Sequence, residues 1–247
     1  MAKRKKRQEI DQQIEAFEKG GSLEEQLPPL KPRTSNQAHY IEAIAQNPLV
    51  FGLGPAGTGK TFIAASLAAD AIAARKISKV IVTRPVIEVG ERLGFLPGTL
   101  QEKFDPYFQP VWHVFVKRLG EGFAEYLMRK KVIEVVPLAY MRGYTFDHAF
   151  VIFDEAQNAT KMQMKMFLTR IGERSRVIVN GDLEQVDLPG ADGLADAVTR
   201  LRDVRGVEVV QFGPEDIVRS GLVQRIVQAY SEPAPAPGPV KRVQRIL

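Results

Sequence analysis

Residues 54–61 read Gly-Pro-Ala-Gly-Thr-Gly-Lys-Thr, and no other stretch of the 247-residue chain constrains its fold as tightly. The octet fits a glycine, four free positions and then Gly-Lys-Ser/Thr. The apolar run 49–53 before it reads as a buried strand, and residues 60–75 after it read as a helix. In such a strand–loop–helix unit, Gly54, Gly57 and Gly59 let backbone N–H groups wrap a phosphate without Cβ clashes. The helix N-terminus adds the positive end of its dipole. Lys60 is placed to neutralise β- and γ-phosphate oxygens, and the Thr61 hydroxyl to ligate Mg²⁺. Pro55, Ala56, Thr58 and Phe62 complete the expected nucleotide-binding stretch.

The rest of the chain supplies the sheet that such a loop needs. Short apolar runs at 79–83, 132–136, 149–153, 176–180 and 207–211 read as further strands. Helical patterns at 110–119, 121–131, 160–171, 193–203 and 214–229 alternate with them. That alternation predicts an α/β fold, a mostly parallel sheet with helices on both faces. Upstream, Ile10, Ile14 and Phe17 mark an amphipathic helix over 8–19, and Thr34 or Ser35 caps one over 36–46 that Asn47-Pro48 ends. Residues 20–33 are Gly/Pro-rich and read as a linker, and the Pro/Ala-rich stretch after Tyr230 as a disordered or extended tail. The expected parts are therefore a basic arm, helix and linker (1–33), a catalytic domain (34–230) and a tail (231–247).

Charge and composition narrow the classes. The net charge of +5 sits at the ends: residues 1–7 carry five basic side chains and 231–247 a net +2, leaving 8–230 at −2. A basic arm attracts phosphates or simply solubilises. Cysteine is absent, which excludes disulfide scaffolds, and His39, His113 and His148 share no metal-ligand spacing, which argues against a zinc enzyme. No apolar run approaches ~18 residues and no signal-like h-region follows the basic start, so a cytoplasmic protein without membrane partners is expected.

A second element fits the first. The apolar strand before Asp154-Glu155 ends in paired carboxylates, and unpartnered buried charge is costly. At the C-terminal edge of a parallel sheet, Asp154 is suited to hold Mg²⁺ through water. Glu155 is suited to orient and deprotonate an attacking water. By its sheet position Gln185, after the next strand, can sense the γ-phosphate or hold the water, where a lone Gln would read as a surface side chain. The Gln37 amide matches the donor–acceptor edge of adenine, although by itself it reads first as an exposed helix residue. No Asn-Lys-x-Asp occurs, which disfavours a GTPase. Tyr107, Phe108, Trp112 and Phe115 read as core rather than as a base-stacking platform, and Met162, Met164 and Met166 as helix packing.

The segments GPAGTGKT, TRPVIEVGERLGFLPG, PLAYMRG, VIFDEAQNAT, QMKMFLTRIG and GDLEQVDLP, in this order over residues 33–230, resemble the PhoH-like ATPases. The resemblance implies a P-loop NTPase core similar to the first RecA-like domain of superfamily 1 helicases, using ATP and Mg. It implies action on single-stranded nucleic acid, RNA favoured, and a homo-oligomeric, hexameric ring. By the same resemblance Gln37 is like the adenine-sensing glutamine and Gln185 like the motif-three glutamine. Arg84 and Arg142 fall in motifs expected to face nucleic acid or a neighbour. The chain departs from the family at Tyr144, where R-G-R-T is usual, and at Ser220-Gly221, where R-H-P is usual. No nuclease domain of the PIN type and no second RecA-like domain is expected. An arginine finger must then come from a neighbouring subunit, with Arg219 or Arg170 as candidates. The resulting expectation is a helicase-like motor or remodeller, the alternative an ATP-governed assembly switch or adaptor.

Overall fold

A computed structural model describes residues 2–85, 100–185, 188 and 190–218. Its described strands are β1 (Leu49–Leu53), β2 (Lys79–Thr83), β3 (Ile133–Val135), β4 (Ala149–Phe153), β5 (Arg176–Gly181) and β6 (Val207–Gln211). They form one sheet in the order β3-β2-β4-β5-β1-β6, every pair parallel. Alternation along each strand divides the core in two. Val50, Ile152 and Ile178 face one layer, while Phe51, Val151, Phe153, Val177 and Val179 face the other. The first layer is covered by α2 (Ser35–Gln46), α3 (Lys60–Ala73), α4 (Leu100–Leu119) and α5 (Glu121–Arg129), and the second by α6 (Lys161–Leu168) and α7 (Gly193–Leu201).

Local chemistry sets the helix ends. The Thr34 hydroxyl accepts from the Gln37 N–H at 3.2 Å and opens α2. Thr160 and Gln163 form a capping box at α6. Helix α4 begins ten residues before the expected position 110, running through Pro106 and Pro110. An interior proline costs ~3 kcal/mol. Burial of Phe108, Val111, Val114 and Phe115 offsets that cost.

The N-terminal segment differs from the expected free arm. Helix α1 (Ala2–Glu18) takes in the basic run and packs on α5, with the Phe17 and Phe123 rings 5.3 Å apart and the Tyr126 hydroxyl donating to Glu18 at 2.9 Å. Residues 24–26, inside the expected linker, form a 3₁₀ turn. Met1–Ile217 is one compact unit, and of the second, Val218–Leu247, only Val218 lies within the described residues. The helix expected over 214–229 shows a 3₁₀ turn at Pro214–Asp216, and from 219 onward it lies outside the described residues, as does the tail.

Candidate functional site

Strand order brings the motifs together. β5 lies between β1 and β4, with Leu53 beside Gly181 and Val179 beside Phe153. The loop after β1, the acids after β4 and the turn after β5 therefore leave the same C-terminal edge. They line a cleft of about 230 Å³ that includes Lys60, Thr61, Asp154, Glu155, Asp182 and Gln185.

The loop is held by its own polar groups. Gly57 and Gly59 adopt φ of 88° and 89°, the left-handed region that a side chain resists. A Cβ on Gly54 (φ 135°) would collide with the Phe212 carbonyl oxygen. Thr58, fully buried, donates to the Pro55 carbonyl at 3.0 Å. Lys60 Nζ donates to the carbonyls of Gly54 (2.6 Å) and Pro55 (2.8 Å) and to Thr58 Oγ1 (3.2 Å). Burial lowers the Lys60 pKa, while the charges of Asp154, Asp182 and Glu155 oppose that shift. Its ammonium thus lies in the field of three carboxylates, and a polyphosphate there would need a cation to offset their charge.

Thr61 Oγ1 donates to Asp154 Oδ1 at 2.9 Å. Desolvation, with the Glu155 charge, pushes the Asp154 carboxyl up to about 6, against the pull of Thr61, Arg84 and Lys60. This hard-oxygen pair fits Mg²⁺. Among the described residues no group of three or more His, Cys, Asp or Glu forms a metal cage. Phosphate oxygens and water would supply the remaining ligands, the mode that suits Mg²⁺.

Glu155 adopts φ 53°, ψ 38°, in the left-handed region. Its Oε2 accepts a 2.7 Å hydrogen bond from the Gln157 amide, and Gln157 Oε1 accepts from the Asp182 N–H at 3.2 Å. Sequence reasoning missed Gln157. The only signal was a polar residue two positions after Glu155, and its partner on another strand becomes visible only with the sheet order.

The other expected residues are placed as follows. Gln37 is buried against the loop, its amide donating to the Thr58 carbonyl at 2.9 Å and accepting from the Arg33 N–H at 2.9 Å. Pro55, Ala56 and Thr58 lie in the loop itself. Phe62 is exposed on the first turn of α3, with Lys117 Nζ 5.5 Å from its ring centroid. Arg84 follows β2, close enough for its charge to lower the Asp154 pKa. Arg142 is exposed beyond a 3₁₀ turn. Arg170 lies at the opposite edge of the sheet, where its carbonyl accepts from the Phe146 N–H just before β4. Arg219 lies outside the described residues, as does most of the segment TRPVIEVGERLGFLPG. Phe108 and Phe115 are buried and Trp112 half-buried against the core, while Tyr107 lies outside the side chains described. Met164 is buried, but Met162 is 82% exposed, so the methionine stretch does not pack as a whole.

A family model described as PhoH-like protein matches residues 29–231. Protein PhoH of Escherichia coli (strain K12) is 52% identical over 207 residues, covering 82% of this chain and 58% of that protein. The PhoH-like protein of Bacillus subtilis (strain 168) is 48% identical over 205 residues, covering 82% and 64%. The chain thus spans less than two thirds of the length of these relatives. Among solved structures, the large terminase from a thermophilic bacteriophage, in complex with ADP, aligns at TM-score 0.48 with 9% identity, over 82% of this chain and 51% of that one.

Proposed function

The chain belongs to the PhoH-like protein family, and from that premise we propose that it is a Mg-dependent ATPase whose homo-oligomeric, hexameric ring acts on single-stranded nucleic acid, with RNA the favoured form. The observation that carries the hydrolytic part is the convergence of Lys60, Thr61, Asp154, Glu155 and Gln185 on one cleft.

The geometry supports a direct division of labour. The glycine loop and the α3 N-terminus bind the α- and β-phosphates through backbone N–H groups. Lys60 spans the β- and γ-phosphate oxygens, exchanging loop carbonyls for phosphate. Thr61 and Asp154 would hold Mg²⁺, which would supply charge neutralisation at the phosphates. Glu155 takes the proton from the attacking water, and Gln185, exposed at the rim, orients that water or the γ-phosphate. The proposed site residues also include Gln37, next to the loop, as the adenine contact, and Arg84 and Arg142 as contacts to nucleic acid or a neighbouring subunit. No described helix is long and apolar enough to cross a membrane, and we place the activity in the cytoplasm.

The motor reading is tested by phosphate release from Mg·ATP alone and with poly-U RNA, single-stranded DNA or duplex. Strong stimulation by poly-U is the expected result. An active enzyme that no nucleic acid stimulates would favour the other reading, an ATP-governed assembly switch or adaptor.

A further inference from the structure

Resting on the reading of Glu155 as the base of ATP hydrolysis, the geometry points to Gln157 as a positioning residue that holds the Glu155 carboxylate in register with the turn after β5.

Gln157 is 3% exposed, so both ends of its amide need partners inside the protein. One end donates to Glu155 Oε2 at 2.7 Å, and the other accepts from the Asp182 N–H at 3.2 Å. The side chain therefore ties the acid after β4 to the backbone leaving β5, three residues before Gln185. Gly181 also packs closely against Gln157. A Cβ on Gly181 would come within 3.0 Å of Gln157 Oε1 and 3.1 Å of its backbone nitrogen. The turn Ala156–Asn158 is then anchored to the start of α7, because the Gly193 N–H donates to the Ala159 carbonyl at 2.9 Å.

Glu155 needs such a hold. Its left-handed backbone conformation is one a non-glycine residue keeps only where its surroundings impose it. A carboxylate with rotatable χ angles would otherwise sample several positions. A misplacement of about 1 Å costs roughly 10²-fold in rate. The Gln157 N–H fixes one carboxylate oxygen and leaves the other to the water.

Two substitutions separate positioning from scaffolding. Gln157→Leu removes both hydrogen bonds. Gln157→Glu keeps an acceptor for the Asp182 N–H but sets a carboxylate against Glu155. In the full chain, both should lower kcat roughly 10²-fold, with affinity for a fluorescent ATP analogue within about twofold of wild type. A carboxylate beside Glu155 would disturb a base there in any case, so Gln157→Leu carries the decision: if Gln157 only supports the turn, Gln157→Leu keeps the wild-type rate while the analogue still binds. A double variant with Glu155→Gln decides the route: a residue acting through Glu155 adds no further loss, so the double variant should match Glu155→Gln alone. If wild type hydrolyses ATP and Glu155→Gln does not, but Gln157→Leu stays fast or the two losses multiply, Gln157 does not position the base. If wild type releases no phosphate, the ATPase assignment itself fails; if Glu155→Gln remains active, the assignment of Glu155 as base fails; in either case this inference falls with it. A Gln157 variant that no longer binds the analogue shows a structural role and equally overturns the inference.

Discussion

A carboxyl group held near pH 6 by desolvation keeps a proton at pH values where an unfolded aspartate has lost it. For Asp154 the sign follows. Between the unfolded value of 3.8 and about 6, the folded chain binds more protons than the unfolded one. The stability cost is therefore complete above pH 6 and relaxes as pH falls toward 4. Asp154→Asn removes that cost while leaving an oxygen for the Thr61 hydroxyl. Without nucleotide or magnesium at pH 7.5, the variant should gain on the order of 1–3 kcal/mol by denaturant titration, yet lose Mg-dependent hydrolysis. A gain that persists undiminished at pH 4 would show that desolvation of the charge is not its source. Lys60 makes the complementary case, since its three hydrogen bonds are all to loop oxygens. Lys60→Ala should abolish tight ATP binding while the circular dichroism spectrum stays native. Near-normal hydrolysis by the folded variant would remove the loop from the phosphate site.

Between elements, the join of β1 to α2 shows how closely the sheet carries its helices. Tyr40 is fully buried, donates to Asn180 Oδ1 at 2.5 Å and packs edge-on against Phe212. Gly52 makes room for both polar partners: a Cβ there would stand 2.7 Å from Asn180 Oδ1 and 2.9 Å from the Tyr40 hydroxyl. Gly52→Ala should cost about 1–3 kcal/mol by denaturant titration, and an unchanged midpoint would mean that β1 and α2 shift apart freely. This junction was not legible in the sequence. Gly52 read as one more position in an apolar run, and nothing local marks Tyr40 within the expected helix 36–46 as the partner of a strand. All six strands were legible to within a residue, because each is a short apolar run with polar or turn residues at its ends. That the glycine-rich loop and both acids leave one sheet edge was legible for a similar reason: each follows directly on an apolar strand. Gln157, Asn180 and Asp182 were not, because their partners lie on neighbouring strands and are set by sheet order. The start of α1 was misplaced for a different reason. Basic residues carry no apolar stripe, so periodicity began the helix near residue 8. Their role remains testable. Deleting residues 2–7 should flatten the salt dependence of RNA binding by ~0.7 in log–log slope for each phosphate contact removed. An unchanged slope would leave α1 with a packing role alone.

At the scale of the whole molecule, the proposed reading gives the cleft Glu155 as base, Thr61 and Asp154 as cation ligands and Lys60 for phosphate, and it takes the arginine that would meet the γ-phosphoryl charge from a neighbouring subunit. Arg170 cannot meet that charge within its own chain. It sits before the N-terminal ends of β4 and β5, and a five-residue strand separates that edge from the cleft by ~16 Å. The same placement suits a head-to-tail neighbour, because one subunit's far edge then meets the next subunit's nucleotide edge, and a rotation that closes makes a ring. Arg219 is the other candidate. Arg170→Ala or Arg219→Ala should reduce hydrolysis by ~10³-fold or more while leaving ATP binding intact. Specific activity of the wild type should rise with protein concentration as subunits assemble. Mixing gives the sharper test. A Lys60→Ala subunit has a dead cleft but still carries its arginine, so combining it with the inactive arginine variant should restore turnover at mixed interfaces. If neither arginine matters, or rings form and mixing restores nothing, no finger acts in trans, and ATP serves assembly rather than work on nucleic acid.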